Sequence, residues 1–298
     1  MMTDAEPGIR NTAMPSPSTF ASTLPPGSAI QQIAFVAERT AGQTLVMEFP
    51  PLLQRRAVVV PSDLAPQSVS AGTLTILTVP AQVGEATIES ESELFTRLRH
   101  WVEAAAPADA PQALVMMFQG VQLCWSPGRS AILAQSDRLE AVRKAVIEAA
   151  FYDAELSQIE RTLGEIWPQL EADLPLAFEF EERSMSQEKP LRQRFGQVFL
   201  LRARLTRLSP YVHSPHLHPP TLASQMGERL RDRTRMAHRC EFLDEQIEVF
   251  ETVYEMCGQR TSDYKLARTG HILEWIIIVF LFIQFLLSGF EILTKVGP

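Results

Sequence analysis

Residues Trp275–Phe290 read WIIIVFLFIQFLLSGF, a run of sixteen residues without a charge in which Gln284 is the only strongly polar side chain. Glu274 and Glu291 bracket the run. As an α-helix, the run would be roughly 24 Å long, and extending it over residues 272–293 gives roughly 33 Å. That length is enough to cross a hydrocarbon core of about 30 Å. We therefore predict a transmembrane helix over residues 272–293.

The flanks of this run favour a membrane position. Trp275 suits the interface, where an indole keeps its ring in an apolar layer and its N–H in contact with water. The alternative is a core helix of a soluble domain, but such a helix usually keeps a polar stripe, whereas this one is apolar on every side except at Gln284. Three basic residues lie within residues 260–268, and Lys295 alone follows the run. This bias predicts a tail-anchored, single-pass protein with its N-terminal bulk in the cytoplasm, in the inner membrane if the protein is bacterial.

The N-terminal half predicts a small α+β domain. Residues 1–29 are rich in Pro, Ser, Thr and Ala without a secretory signal, which is typical of a disordered arm. Residues 30–150 alternate short β-rich runs with amphipathic segments, and Gln119-Gly120 is a candidate hairpin turn. The predicted strands are Gln31–Glu38, Thr44–Phe49, Ala57–Val60, Thr73–Val79, Ala113–Phe118, Val121–Trp125 and Ser130–Ala134, and the predicted helices are Glu91–Ala105 and Asp137–Ala150.

The second half predicts long helices. Apolar side chains recur about every 3.5 residues within residues 156–170, 191–208 and 236–257. This spacing is typical of helices that pack along their length, so we predict an antiparallel, coiled-coil-like helical bundle over residues 151–260.

The last bundle helix is predicted to run from near Leu222 to about Cys257. Residues 261–271 are then either a juxtamembrane linker or a kinked continuation of that helix, and residues 294–298 form a short tail.

Charge is divided unevenly between these predicted helices. Residues 192–239 hold ten arginines, no lysine and two acids, for a net charge of +8. Residues 151–182 carry a net charge of −8, and residues 240–257 carry −6. The basic block predicts either a site for RNA, lipid headgroups or another polyanion, or helices of opposite sign lying side by side. We favour the second interpretation, because the planar guanidinium group of Arg meets a carboxylate through two hydrogen bonds.

Arg229, Arg233 and Arg235 form the candidate polyanion or ion-pair face. The first two are four residues apart and share a face of a helix. The whole chain has a formal charge of −8, which argues against a general affinity for nucleic acid. RNA is therefore a partner that the sequence allows but does not favour.

The sequence lacks the common catalytic motifs, with no Gly-rich phosphate loop, no H-E-x-x-H and no G-x-S-x-G. His213, His216 and His218, in YVHSPHLHPP, are weak candidate ligands for a transition metal. No nearby Cys or Asp completes a coordination shell, and solvated histidines in a Pro-rich turn are the favoured alternative. We predict no catalytic residues, no enzymatic activity and no cofactor; a metal-dependent hydrolase is the least favoured alternative.

The three cysteines, Cys124, Cys240 and Cys257, are widely spaced and odd in number. They form neither a disulfide framework nor a zinc-binding spacing, so we predict reduced thiols in a cytosolic domain.

Two motifs resemble those of the "required for meiotic nuclear division" family, whose molecular function is unknown. Residues 273–278 read LEWIII, like the motif that opens the terminal membrane span of that family, and residues 239–247 resemble its R-x-E-x-L-N-x-x-L helix. The motif residues in this chain are Leu273, Glu274, Trp275, Arg239, Glu241 and Leu243. Ile272 stands where the family usually has Arg, and Asp244 stands where Asn is usual.

The resemblance extends in architecture over roughly residues 110–293. In this respect the chain resembles a divergent bacterial member of the family. It implies a membrane-anchored protein with no established enzymatic activity. The mitochondrial members of the family lie in the inner membrane and support organellar translation.

These patterns predict a membrane-anchored scaffold. We expect its anchor to contact membrane lipid and its helical bundle to bind a protein partner or a second copy in a homo-oligomer. The alternative function is a membrane tether for RNA or ribosomes that acts through the Arg-rich helices in support of translation.

Overall fold

The computed structural model of the chain describes residues 24–40, 42–60, 72–81, 93–104, 112–178, 188–213 and 220–296, without the side chains of residues 288–296. Within those ranges the strands are β1 (Ala29–Val36), β2 (Thr44–Glu48), β3 (Arg56–Val60), β4 (Thr73–Pro80), β5 (Leu114–Phe118), β6 (Val121–Ser126) and β7 (Arg129–Ala134). The helices are α1 (Glu93–Glu103), α2 (Ser136–Asp173), α3 (Pro175–Phe178), α4 (Glu188–Val212), α5 (Leu222–Arg233) and α6 (Met236–Val296). The predicted α+β class, with one long apolar C-terminal helix, is confirmed.

Several sequence predictions fall partly or wholly outside the described ranges, among them the ends of the predicted helix Glu91–Ala105. Others are the disordered arm as far as residue 23, the turn that holds His216 and His218, and the last two residues of the tail.

The strands form one mixed sheet in the order β2-β3-β1-β4-β7-β6-β5. The pairing of β4 with β7 is parallel, and the other pairings are antiparallel. The candidate hairpin at Gln119-Gly120 is confirmed, since this pair joins β5 to β6 with φ values of 48° and 79°. Two positive φ angles in a two-residue turn match the right-handed twist of the flanking strands.

Contacts divide the chain into two units. The sheet unit holds residues 1–154 and 215–234, and the helical unit holds residues 155–214 and 235–298. One boundary falls inside helix α2, and the last one falls between α5 and α6.

In the sheet unit, α1 packs its apolar face on one side of the sheet. Phe95, Leu98 and Val102 are fully buried against a cluster that includes Leu77 of β4 and Leu133 of β7. The apolar stripe of the helix and the alternation of apolar and polar residues along the strands are the same sequence patterns that predict these elements. This face therefore forms one half of the core of the unit.

The opposite face of the sheet meets the first part of α2 through aromatic rings. Ile30 of β1 pairs with Leu77, so these two side chains lie on the same face of the sheet. Phe35 follows Ile30 by an odd number of residues along β1, so its side chain points to the other face. Its ring centroid is 5.3 Å from that of Phe151, and Phe49 is 4.2 Å from Phe151. Such ring pairs add about 0.5–1.5 kcal/mol each beyond the burial of their area.

In the helical unit, side chains of α2, α4 and α6 contact one another. Trp167 of α2 packs edge-to-face on Phe250 of α6, with 5.2 Å between ring centroids. The buried seam residues are Leu156, Ile159, Leu163 and Leu170 of α2, Leu191, Val198, Leu201, Leu205 and Leu208 of α4, and Met236, Cys240, Leu243, Ile247, Phe250, Tyr254 and Cys257 of α6. Most of the apolar side chains that recur every 3.5 residues in the sequence are thus buried, whereas Ile166 and Phe195 of the same seams are half-buried.

The prediction of one helix from near Leu222 to about Cys257 is wrong. The structure has two helices there, because Arg235 adopts the left-handed conformation with φ 53° and Thr234 caps the end of α5. A non-Gly residue with positive φ cannot continue an α-helix. Helix α6 then runs without a break through residues 261–271, where the sequence left a linker or a kinked continuation open.

Candidate functional site

The C-terminal part of helix α6 is apolar and exposed. Every described side chain from Ile272 to Leu287 is exposed, including those of Trp275 and Gln284. Within the described part of the chain, this is the one helix that is long and apolar enough to cross a membrane by length and composition. Phe290 belongs to the same helix, and its side chain lies outside the described residues.

The motif Leu273-Glu274-Trp275 lies at the start of this segment. All three side chains are exposed. The Nδ1 atom of His271 is 3.1 Å from Oε2 of Glu274, three residues further along the helix. Glu274 thus has a histidine partner one turn earlier, whereas position 272, where an arginine would be the family's usual residue, holds an exposed isoleucine.

The upstream motif residue Arg239 makes a bidentate contact. Its Nε donates to Oε1 of Glu160 at 2.7 Å, and one terminal nitrogen donates to Oε2 of the same carboxylate at 2.8 Å. That nitrogen also donates to Oγ of Ser157 at 2.9 Å. The other motif residues differ, since Leu243 is buried in the seam and Glu241 is exposed. Arg239 therefore fixes the start of α6 on α2.

Three arginines of α4 also pair with acids. Arg194 donates to the carboxylate of Asp173. Arg202 lies 3.1 Å from Glu251, and Arg204 lies 2.9 Å from Glu155. The acids come from the two acidic blocks that flank the arginines in the sequence. The pairs also give the direction of the helices, since residues early in α4 meet the end of α2 and later residues meet its middle.

The arginines of the candidate face are placed differently. The guanidinium carbon of Arg229 stacks 3.7 Å from the ring centroid of Phe118 in β5. Arg233, at the end of α5, and Arg235, before α6, are exposed. Within the described residues, none of these three arginines forms an ion pair. Arg194, Arg202, Arg204 and Arg239, in contrast, each pair with an acid.

Of the three candidate histidine ligands, the structure describes His213 alone. Its Nδ1 is 2.9 Å from the backbone oxygen of Ser209, and its Nε2 is 3.8 Å from Oε1 of Glu241. His216 and His218 lie outside the described residues. No group of three His, Cys, Asp or Glu side chains suited to a metal occurs in the part of the chain that the structure describes.

The three cysteines are buried and are not joined in disulfide bonds. Burial raises the pKa of the Cys240 thiol above its ordinary value, and the nearby Asp244 and Glu241 raise it further. Burial, followed by the charge of Asp173, raises the pKa of Cys257 to about 11. Both thiols are therefore protonated at neutral pH, which does not suit them to nucleophilic chemistry.

A buried polar cluster lies where the ends of α2 and α4 meet α6. The carboxylate of Asp173, which is 8% exposed, pairs with Arg194. The Tyr254 hydroxyl donates to Oδ2 of Asp173 at 3.4 Å, and the Cys257 thiol lies 3.9 Å from the backbone oxygen of Asp173. Burial and the Asp173 charge raise the pKa of Tyr254 to about 12. This cluster fixes Tyr254 in position.

Beside this cluster, α4 and α6 line a solvent-open cavity of about 470 Å³, which we call the α4–α6 cavity. Its charged lining residues are Glu188, Arg192, Glu255 and Lys265, and its aromatic lining residues are Phe195 and Tyr254. Nζ of Lys265 is 2.7 Å from Oε2 of Glu188, and this contact holds the pKa of the Glu188 carboxyl below its ordinary value. Arg192 and Glu255 form no ion pair with the described residues.

Gly258 lies in the wall of this cavity and leaves it open. A Cβ placed on this glycine would meet no atom within 4 Å.

Sequence reasoning did not single out Asp173, Tyr254 or the residues of the α4–α6 cavity. A signal for Tyr254 existed, because it is the one residue of the α6 seam with a hydroxyl that must find a partner when it is buried. Gly258 is a second signal, since a glycine inside a helix costs about 1 kcal/mol relative to alanine and calls for a packing or functional reason.

A scan against protein-family models found no match for this chain, and a search of the curated proteins found none either. Among solved structures, the chain is similar to "structure of the full-length CmaX protein". The two share 16% sequence identity with a TM-score of 0.40, over 81% of this chain and 83% of that chain. A similarity of this size carries no inference about function.

Proposed function

We propose that this protein is a membrane-anchored scaffold. The observation that carries the proposal is the continuity of helix α6. The apolar face of its first part is buried in the helical unit, and the same helix extends without a break into an exposed segment in which the described side chains from Ile272 to Leu287 are almost all apolar.

Energetics support the anchor. Moving one large apolar side chain out of water contributes about 1.5–3 kcal/mol, and this segment exposes more than ten of them. A bilayer would remove that surface from water, and the backbone hydrogen bonds of a helix are already satisfied within it. The N-terminal bulk would then lie on the cytoplasmic side, with the basic residues before the segment near the lipid headgroups.

The scaffold part of the proposal concerns the helical unit. We propose that its segments pack as a coiled-coil-like bundle and that a second copy or a protein partner covers its outer side. Phe199 and Leu200 of α4 and Phe242 and Val249 of α6 are large apolar side chains that are exposed on this unit. Membership of the "required for meiotic nuclear division" family belongs to the same proposal and is supported by the two motifs around Arg239 and Glu274.

The anchor is tested by truncation. A chain that ends at Gly270 should move from the membrane fraction to the soluble fraction, because it has lost its one long apolar run, while the full chain should resist extraction with high salt and alkaline carbonate. A full chain with Ile277→Ala serves as the matched control and should remain in the membrane fraction. Release of the full chain by carbonate, or retention of the truncated chain on membranes after the salt wash, would contradict the proposal.

A second candidate function is a tether for RNA, which the α5 arginines favour because they lack acidic partners within the described residues. The pairing of Arg194, Arg202, Arg204 and Arg239 with acids counts against it, since these residues supply much of the positive charge of the basic block.

A further inference from the structure

We propose that copies of this chain associate head to tail in the membrane, with the outer side of α4 in one copy packed on an exposed apolar stripe of α6 in the next copy. This inference rests on the anchored scaffold proposed above and commits it to one partner, a second copy of the same chain. Each copy would use both surfaces, one toward each neighbour.

The first surface is an apolar stripe on α6, which we call the α6 stripe. Phe242, Val249 and Met256 follow one another at intervals of seven residues, so they lie on one side of the helix. Phe242 is 53% and Val249 48% exposed, and Met256 is half-buried. The buried seam residues Leu243 and Phe250 each come one residue later, about 100° further round the helix, so the packing of the seam leaves the stripe uncovered.

The second surface is the outer side of α4, which we call the α4 face. Phe199 is 59% and Leu200 68% exposed at its centre. Gly196 and Ala203 lie one turn before and one turn after these side chains, so the centre of the face carries no charge. The exposed Arg207 follows one turn beyond Ala203. Large apolar side chains that are grouped on a surface in this way mark sites of association.

Ion pairs within one chain show which parts of α4 and α6 lie at the same level. Lys265, late in α6, contacts Glu188 at the start of α4, with 2.7 Å between Nζ and Oε2. Arg202, in the second half of α4, lies 3.6 Å from Asp244 and 3.1 Å from Glu251. The two helices are therefore antiparallel, and residue 202 is level with the part of α6 between residues 244 and 251.

A common anchor would hold every copy at the same height, so the levels within one chain apply between neighbouring chains. Leu200 is then level with Val249, because the two antiparallel helices advance by the same rise per residue. Arg207 is level with Phe242 and within one turn of Glu245, an exposed acid that lies on the stripe between Phe242 and Val249. In the proposed contact an apolar side chain therefore meets an apolar one, and a guanidinium group meets a carboxylate.

The charges of the two helices favour a contact between unlike surfaces. Residues 189–212 hold six cations and no acid, and residues 240–257 hold six acids and no cation. Two α4 faces, or two α6 stripes, would bring like charges together, whereas one of each brings opposite charges together. The contact is therefore head to tail and not symmetrical.

The anchor also determines what a head-to-tail contact produces. Such contacts generate closed rings when neighbouring copies are related by rotation alone, and open filaments when a rise accompanies the rotation. Anchors in one bilayer exclude a rise, so repetition of this contact closes a ring. Confinement to the membrane raises the effective concentration of the copies, which suits a contact that extends only about 21 Å along α6.

The test is disulfide crosslinking between full chains in the membranes of the cells that make them, with two copies that carry different tags. One copy carries Leu200→Cys and the other Val249→Cys, and copper phenanthroline oxidises adjacent thiols. The matched control replaces Val249→Cys by Glu248→Cys, an exposed position at nearly the same level but on another side of α6. The wild type is the blank, because its own three cysteines are buried.

We expect Leu200→Cys with Val249→Cys to give roughly tenfold more of the two-tag product than Leu200→Cys with Glu248→Cys, since a disulfide forms only between close Cβ atoms. Two copies that both carry Leu200→Cys should give no product. Adding Arg207→Glu to the Leu200→Cys copy should lower the yield roughly fivefold, and adding Glu245→Arg to the Val249→Cys copy should restore it. Restoration by a change in the other copy requires that the pair joins two chains.

Three results would overturn the contact. They are equal yields with Val249→Cys and Glu248→Cys, a disulfide between two Leu200→Cys copies, and a benzoylphenylalanine photocrosslinker at position 200 that captures another protein and not this chain. The last result would leave a scaffold with a different partner. Carbonate extraction is measured on the same membranes, so a chain that stays in the membrane without forming the expected disulfides keeps the anchor and loses only this contact.

Discussion

At the scale of single residues, the buried carboxylate of Asp173 organises the end of the helical unit. It is the acceptor for both Arg194 and Tyr254, and its backbone oxygen faces the Cys257 thiol. Removal of one partner of a buried ion pair leaves the other charge without compensation, which costs more than the pair itself contributes.

We therefore predict that Asp173→Ala lowers the free energy of unfolding by about 3–5 kcal/mol, because Arg194 keeps its charge in a half-buried position without a partner. Asp244→Ala is the matched control. Its carboxylate lies 3.6 Å from Arg202 and is half exposed, so its loss should cost less than about 1 kcal/mol. Thermal or denaturant unfolding of both variants in detergent checks this, and equal midpoints would show that Asp173 makes no essential pair.

The Cys257 thiol predicts a loss of stability at alkaline pH. Its folded pKa is raised from 9.0 to about 11, so the folded state keeps a proton that the unfolded state releases between these values. Stability from this group is complete below about pH 9 and falls as the pH rises toward 11, by at most about 1.4 kcal/mol per pH unit for one proton.

The measurement is the melting temperature of wild type and Cys257→Ser across pH 8 to 10.5. The serine variant does not titrate there, so we expect its melting temperature to fall less steeply over this range. The same slope in both chains would show that the thiol ionises equally in the folded and unfolded states. Tyr254, whose pKa is raised to about 12, acts in the same direction at higher pH.

At the scale of elements, the α6 seam predicts a contrast between two neighbouring positions. Leu243 is 1% exposed, and Glu248 is exposed on the other side of the same helix. Leu243→Asp places an unpaired carboxylate in the seam and should cost about 3–5 kcal/mol, in the range seen for an uncompensated buried charge. Glu248→Lys should change stability by less than about 0.5 kcal/mol. Equal melting temperatures for Leu243→Asp and the wild type would contradict burial of the seam.

The seam and the strands could be predicted because both depend on local periodicity. The 3.5-residue spacing selects Leu243 and Ile247 for burial, and alternation selects the two faces of the sheet. The break between α5 and α6 could not be predicted from the sequence, because neither Thr nor Arg, the residue types at positions 234 and 235, is a helix-breaking residue. Only the positive φ of Arg235 shows that the chain leaves the helix there.

The sheet order and the α4–α6 cavity depend on contacts between distant residues, which local patterns do not encode. The parallel pairing of β4 with β7 joins residues more than fifty positions apart. The cavity combines Glu188 and Arg192 of α4 with Glu255 and Lys265 of α6, and no spacing within one helix indicates that these four side chains line one space. The candidate arginine face was visible in the sequence, but which arginines have acidic partners was not.

At the scale of the whole molecule, the arginine block separates into two groups with different partners. Arg194, Arg202, Arg204 and Arg239 are neutralised inside the helical unit by acids from the flanking blocks. In α5, Arg229 stacks on the ring of Phe118, Arg233 is exposed and Arg231 is half-buried. The net charge of the full chain is −8, so a polyanion approaching α5 meets a repulsive field from the remainder of the protein.

We therefore predict that the full chain in detergent does not bind single-stranded RNA at physiological salt. Arg229→Gln should lower stability by about 0.5–1 kcal/mol through loss of the contact with Phe118, while Arg233→Gln, the matched control on the same helix, should leave it unchanged. The measurements are fluorescence anisotropy with a labelled RNA over a salt series and thermal unfolding of each variant. Two results together would favour the tether. RNA binding at physiological salt would weaken as salt is added, with the logarithm of the binding constant falling by about 0.7 per phosphate contact for each tenfold rise in salt. The double variant Arg229→Gln/Arg233→Gln would lose this binding while the mass of the protein particle in solution stayed unchanged. These results would contradict the scaffold as the function of α5, because an Arg229 that serves only to stack on Phe118 would make no contact with RNA phosphates and would release no counterions from them.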